Sequence, residues 1–282
     1  MNERIFSQLA ELAKSFNSLG TRPVVCGGLG VYLCFEDKLG DNKQILRATT
    51  DIDLMLLKSQ VLEQAQRNSI AEIITNKLEY RLRDDGEGKC FRFEKSGGQE
   101  LDVLAPPMDF INNNGDRARI VKSKLHGRLI KEAVYIDEDL RIIDISRFLK
   151  ESQNNEKLEI AVPSPTNLLI LKLFAFNDRR RGERQLDVER AQTHAWDIYA
   201  ISTLADRADY KQGQVFLEKH RNSDIIKKAL AIVEESFSDI EKTGWQHVLE
   251  ASVWDTDITL AQRRQELENA KNRLIRWFTI KK

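Results

Sequence analysis

The 282-residue sequence predicts an α+β fold: a mixed sheet flanked by helices in the N-terminal half, then a helical C-terminal domain. Three observations carry this reading. Short apolar runs separated by turn signals are confined to the region before residue 150. From Ser164 onward nearly every segment has apolar residues at helical spacing. Between the two lies Ser152-Gln153-Asn154-Asn155-Glu156, a polar stretch that reads as a linker. The expected domains are therefore 1–155 and 156–282, in line with about 150 residues per domain.

Each element has a local reason. Ile5, Leu9, Leu12 and Phe16 recur at helical spacing and predict a helix over 3–18. Pro23 to Cys26 is a short apolar run ending at Gly27-Gly28, after which Leu29 to Phe35 continues as a helix. The polar segment 36–50 with Gly40 reads as a loop, and Ile52 to Leu57 as a buried strand. Ser59 offers an N-cap for a helix over about 60–76. Leu78–Arg83, Cys90–Glu94 and Glu100–Leu104 form a candidate meander, with Asp85-Gly86 and Gly97-Gly98 as turns and Pro106-Pro107 as its end. Alternating apolar residues over 116–150 (Ile120, Val134, Ile136, Leu140, Ile142, Ile143) predict further strands or loops. Helices are expected over about 165–181, 186–205, 210–220, 223–237 and 257–279.

Composition narrows the function. Hydrophobic residues at 41% and charged residues at 31% describe a soluble globular chain rather than a disordered one. Lys+Arg and Asp+Glu are both 44, so no overall basic charge argues for nucleic acid, and only local patches remain open. The N-terminus lacks the apolar core of a signal peptide, and no segment is apolar for long enough to span a membrane. Cys26, Cys34 and Cys90 show neither CxxC nor Cys/His metal spacing, which suits a reducing cytoplasm and argues against structural zinc.

The residues that carry chemistry begin with Arg47-Ala48-Thr49-Thr50-Asp51-Ile52-Asp53-Leu54-Met55-Leu56-Leu57. Side chains i and i+2 of a strand share a face, so Asp51 and Asp53 converge while Ile52, Leu54 and Leu56 face a core. Two carboxylates this close repel unless a cation is shared. Mg²⁺ suits them, since it takes a few carboxylates together with substrate phosphates and water. Asp102, on the apolar strand Glu100–Leu104, is a third carboxylate that could lie beside them. A D-x-D pair alone is also what a strand end or turn cap looks like. Gly27-Gly28 closes a strand and opens a helix, where backbone N–H groups can meet a phosphate. The same glycines also suit a plain turn. The run meets neither GxGxxG nor the P-loop pattern.

Taken together, Gly27-Gly28, then Asp51-x-Asp53, then Asp102 on a later strand resemble the polymerase-β-type nucleotidyltransferase superfamily. The lead-in Arg47-x-Thr49-Thr50-Asp51-Ile52-Asp53-Leu54 is similar to the R-x-S/T-x-D-I/L-D-L of its abortive-infection (AbiEii-like) toxins, one half of type IV toxin–antitoxin pairs. Leu171 to Arg179 resembles their helix with a Lys and an Asp-Arg pair, and His194 to Ile201 their D-[IL]-x-x-[IL] helix. The resemblance spans about 23–205. Gly30 departs from the small residue usual there, and 180–193 is longer and more polar than the usual link.

The resemblance implies a nucleotidyltransferase-type mixed sheet and transfer of an NMP from an NTP to a hydroxyl. The acceptor would be a tRNA 3′ end or a protein, and an antitoxin would be the partner. It implies Asp51, Asp53 and Asp102 as Mg²⁺ ligands, with Asp102 also orienting or deprotonating the hydroxyl. Gly27, Gly28, Arg47, Thr50 and Arg179 would bind nucleotide, and Lys172 would neutralise phosphate charge. The helical domain would complete the nucleotide and acceptor cleft. By pattern alone Lys172 could equally be the solvent-facing position of an amphipathic helix. The cluster Arg179-Arg180-Arg181 with Arg184 could hold an RNA backbone or be a solvated helix end. His194 reads as a satisfied helix histidine or a base, and Trp196, Trp245, Trp254 and Trp277 as core. A non-catalytic binding protein on the same fold is the alternative, suggested by the stripe Leu260, Arg264, Leu267, Ala270, Leu274 and Trp277 on the last helix.

Overall fold

The computed structural model describes residues 3–40, 45–83, 91–107, 117–118, 127–149, 157–182, 184–255 and 257–279. The turn at Asp85-Gly86, Cys90, Ile120 and the linker 152–156 lie outside them.

In chain order the elements are α1 (Glu3–Asn17), β1 (Val24–Val25), α2 (Gly27–Phe35), β2 (Asp51–Met55), α3 (Lys58–Leu62), α4 (Gln64–Glu72), β3 (Arg81–Leu82), β4 (Arg92–Lys95) and β5 (Gln99–Ala105). There follow β6 (Arg117–Ala118), β7 (Gly127–Leu129), β8 (Arg141–Asp144), β9 (Glu159–Val162), α5 (Pro165–Arg179) and α6 (Gln185–Leu204). The chain then runs through α7 (Arg207–Lys219), α8 (Asp224–Phe237), α9 (Thr243–Leu249) and α10 (Leu260–Phe278). The α+β class holds, with all described strands before the helical run. Two expectations were incomplete, since strand β9 and helix α9 carry too few residues to show a period of their own.

Two compact units form. The first comprises Met1–Leu33 and Ala48–Ser164, the second Cys34–Arg47 and Pro165–Lys282. The segment Cys34–Arg47, which lies before the DxD strand in sequence, thus belongs with the helices. One reason is visible within that unit: the Trp196 indole N–H donates to the Ile45 carbonyl at 2.8 Å.

The first unit is built on one sheet of order β3-β4-β5-β2-β1-β9-β8, with β7 against the end of β5 and β6 against β7. Strands β2 and β5 run parallel, as do β1 and β9, whereas β4 and β5 are antiparallel. The β4–β5 turn is made at Gly97 and Gly98, whose φ of 89° and 74° only glycine adopts readily. Helix α1 buries Ile5, Leu9, Leu12 and Phe16, the residues whose spacing predicts it. Strand β3 is shorter than expected because Glu79, at φ 58°, breaks the extended path just before it. The helix expected over 60–76 starts at Lys58 instead and is broken at Glu63. Ser59 does not cap it; the Gln60 side-chain carbonyl accepts the Leu57 N–H at 2.9 Å.

The second unit is a helical bundle with its own aromatic core. Trp196 and Trp254 meet edge to face at 5.1 Å, and Phe237 and Trp245 do so at 5.2 Å. The stripe on α10 is part of this core, with Leu267, Ala270, Leu274 and Trp277 all buried. Those four are spent on internal packing, whereas Leu260, at the start of the stripe, is exposed and Arg264 pairs with Glu241. All four tryptophans are buried, as expected. Among the described residues no helix is long and apolar enough to cross a membrane.

Candidate active site

The site in the first unit follows from strand register. Strand β2 alternates as its sequence demands: Asp51 exposed, Ile52 buried, Asp53 half-buried, Leu54 buried. In the parallel β2–β5 ladder Asp53 pairs directly with Asp102, and Asp51 with Glu100. Ladder partners share a face and lie about 5 Å apart, so the three sequence-predicted carboxylates meet on one side of the sheet. Leu101 and Val103 fill the opposite, apolar side.

Each carboxylate has its own support. The Thr49 hydroxyl donates to Asp51 Oδ1 at 2.5 Å. Thr49 is buried, whereas Thr50, the expected nucleotide ligand, is exposed. The Cys26 N–H donates to the Asp53 carbonyl at 2.8 Å and pins the end of β1 to β2. The Asp53 carboxylate then lies directly over Gly27: a Cβ there would fall 1.7 Å from Asp53 Oδ2. Gly27 also holds φ at 65°. Both facts demand glycine for a reason beyond the two read from sequence, phosphate approach or a plain turn. Gly28 is buried in the first turn of α2.

Asp102 faces cations on its other flank. Arg92, its ladder partner on β4, brings Nε to 3.5 Å from Asp102 Oδ2. Burial pushes the Asp102 carboxyl up, Asp51 and Glu100 push the same way, and Arg92 and Arg128 oppose them. Arg128 lies on β7, opposite Leu104. On this face Asp51, Asp53 and Asp102 are thus flanked by Arg92 on β4 and Arg128 on β7. The sequence reading missed Arg92 and Arg128, since nothing marks them before the strands are paired.

A second cluster lies wholly within the helical unit. Lys172 is not solvent-facing: it is 5% exposed, and its Nζ lies 2.6 Å from Asp197 Oδ2. Arg47 reaches the same carboxylate with a fork, Nε to Oδ1 at 2.9 Å and Nη2 to Oδ2 at 3.2 Å. Burial alone would raise the Asp197 carboxyl, but Lys172 and Arg47 override it and hold it at about 2. His194, one turn earlier on α6, is held neutral: burial first, then Lys172, Arg47 and Arg179, push it down to about 3 against the pull of Asp197. Among the described residues its buried Nδ1 has no hydrogen-bond partner, so at that nitrogen the histidine is not satisfied. Asp197 was legible only as one letter of a helix pattern, yet it is the anion that organises Lys172 and Arg47.

The arginine run after α5 is spent on neighbours. Arg179 and Arg184 both bind Asp187, at 2.7 and 2.9 Å. Arg180 and Arg181 pair with Glu235 at 2.6 and 3.6 Å. Gly182 allows the tight approach to Asp187, since a Cβ there would lie 2.4 Å from Asp187 Cβ.

The family model for the nucleotidyl transferase AbiEii toxin of type IV toxin–antitoxin systems matches residues 10–271. The chain belongs to the AbiEii family. None of the curated proteins and none of the solved structures compared with it matches. Membership implies transferase chemistry on a nucleotide and an antitoxin partner. The match also corrects the span read from sequence, because it continues well past residue 205 through the helices of the second unit.

A divalent metal is what this AbiEii-family site calls for chemically, and the donors fit it in part. Asp51 and Asp53 are hard-oxygen ligands on one strand face, with Asp102 in the adjoining register. Among the described residues no three carboxylate, histidine or cysteine side chains are yet gathered closely enough to hold an ion. Asp102 is at the same time within 3.5 Å of the Arg92 guanidinium.

Proposed function

We propose that the protein is a Mg²⁺-dependent nucleotidyltransferase that moves an NMP from an NTP to a hydroxyl, most simply the 3′ end of a tRNA, with a protein hydroxyl as the other acceptor. In this reading it is the toxin of a toxin–antitoxin pair. The observation that carries it is the ladder pairing of Asp53 with Asp102 beside Asp51, on a strand end where Asp51 is open to solvent.

Asp51 and Asp53 are the residues that would hold the metal, which supplies charge neutralisation at the triphosphate. Thr49 holds Asp51 in place, and Gly27 gives the Asp53 carboxylate room. Asp102 accepts the proton of the attacking hydroxyl. Burial raises its affinity for protons, the direction that suits a base. The acceptor oxygen bonds to the α-phosphorus as the bond to pyrophosphate breaks, and pyrophosphate leaves with its electron pair. Gly28, Thr50, Arg47 and Arg179 are proposed nucleotide-binding residues. Lys172, positioned by Asp197, is the proposed cation for developing phosphate charge.

Purified protein incubated with each labelled NTP, Mg²⁺ and total tRNA should transfer label, and Asp53→Ala should not. Absence of label on RNA and on protein, together with no Mg²⁺-dependent NTP binding, overturns the reading. Label on protein alone removes tRNA and leaves the chemistry.

A further inference from the structure

All four arginines of the run visible in the sequence are engaged by two carboxylates, Asp187 and Glu235, so a long polyanion would be met more freely by cations elsewhere. The helical unit has them. Ala205, Asp206, Arg207, Tyr210, Lys211, Gln214, Arg273 and Arg276 line a groove of about 480 Å³ between α7 and α10. Arg207 and Lys211 are four residues apart on α7, and Arg273 and Arg276 three apart on α10, so each pair presents one helix face. All four side chains are exposed. Among the described residues none of the four makes an ion pair, and only Arg273 is engaged by a carbonyl, that of Thr203.

The two acids beside the groove share one lysine. Lys38 binds Asp206 and Asp209, each at 2.6 Å, and Asp206 also caps α7 by accepting the Ala208 and Asp209 N–H groups. The four groove cations and Lys38 against the two aspartates therefore leave a net charge of about +3 there, in a chain whose net charge is zero. An aromatic surface lies among them: Tyr210 is fixed by its hydroxyl on the Ser202 carbonyl at 3.1 Å and by its ring on Trp277 at 4.7 Å.

We infer that the α7/α10 groove is a docking site for the phosphodiester backbone of RNA, with Arg207, Lys211, Arg273 and Arg276 on phosphates and Tyr210 offering its ring to a base. The arginine fork matches phosphate oxygens in pairs, and backbone contacts of this kind bind without reading sequence. An acidic protein would satisfy the charges but would leave the fixed aromatic face without a stacking partner, whereas every base has a π-face. The choice of RNA rests on the transfer reading above; the groove itself does not.

The test uses the full chain and a short fluorescein-labelled single-stranded RNA, read by anisotropy across a salt series. The double charge reversal Lys211→Glu with Arg276→Glu should weaken binding by about tenfold or more at low salt. It should also flatten the log–log salt dependence by about 1–2, because each lost phosphate contact removes roughly 0.7 from the slope. The milder Lys211→Gln with Arg276→Gln should fall in between, and circular dichroism melts check that each variant is folded. Lys227→Glu with Lys228→Glu on α8, the same double charge reversal away from the groove, is the control. DNA of the same sequence bound through the same residues supports backbone recognition. No loss in the groove variants, a loss no larger than in the control, or displacement of RNA by polyglutamate of equal charge overturns the inference. Mg²⁺–NTP binding is measured alongside: its absence with groove-dependent RNA binding intact sinks the transfer reading alone, and the reverse result sinks the groove alone.

Discussion

At the scale of single residues, Gly27 and the buried pair Asp197–His194 make the sharpest claims. Gly27→Ala sets a Cβ 1.7 Å from the Asp53 carboxylate at a φ of 65°. The expected cost is about 1–3 kcal/mol in a denaturant melt, with Mg²⁺-dependent NTP binding reduced because Asp53 must move. An unaltered melt would show that the carboxylate does not rest there. Acid dependence separates the other two residues. Asp197 has its affinity for protons lowered, to about 2, so its stabilisation is complete above the ordinary carboxylate value near 4 and is lost as pH falls toward 2. His194 is lowered to about 3, so the unfolded chain takes up its proton first and stability falls on acidification from about 6.5 downward, with a limiting slope of about 1.4 kcal/mol per pH unit. Urea melts between pH 7 and 5 should show that slope in the wild type. His194→Gln should flatten it; an unchanged slope would assign it to other groups.

At the scale of elements, α5 and α6 are joined across Lys172 and Asp197. Asp197→Ala leaves the Lys172 ammonium buried without its partner, and breaking such a pair costs about 3–5 kcal/mol. Arg47→Ala should cost markedly less, because Arg47 is partly exposed and Lys172 keeps Asp197 company. Thermal melts of the two variants should rank in that order, and equal losses would mean that Arg47 is the stronger partner. The pattern of α5 gave no hint of this. Leu168, Leu169, Leu173 and Phe176 mark a buried face by spacing, but the helix buries more of its circumference than one stripe, and Lys172 is carried inside with them. Strand β2 is the opposite case, since alternation alone put Asp51 and Asp53 on one face and Ile52 and Leu54 on the other.

At the scale of the whole molecule, the chain separates its charges by use. Asp53→Asn keeps the shape of the side chain, so it should abolish label transfer while leaving the melt and RNA anisotropy close to wild type. Loss of RNA binding in that variant would tie RNA to the carboxylates rather than to α7 and α10. Overall neutrality at 44 charges of each sign concealed this division. The run of arginines at 179–184 could have been an RNA-backbone site or a solvated helix end, and Asp187 and Glu235 engage all four of its guanidinium groups. The groove cations, which make no ion pair among the described residues, come from helices some 60 residues apart in sequence.

Sequence by itself determined the α+β order, the alternation of β2, most of the helices and the D-x-D pair. These depend on spacing along one segment, which chain geometry converts directly into a face. Only the tertiary structure decided that Asp102 stands beside Asp53, that Arg92 and Arg128 flank it, and that Asp197 holds Lys172 and Arg47. Each of those depends on which distant segments pair and in what register, and a single residue's slip would turn every such side chain to the other face.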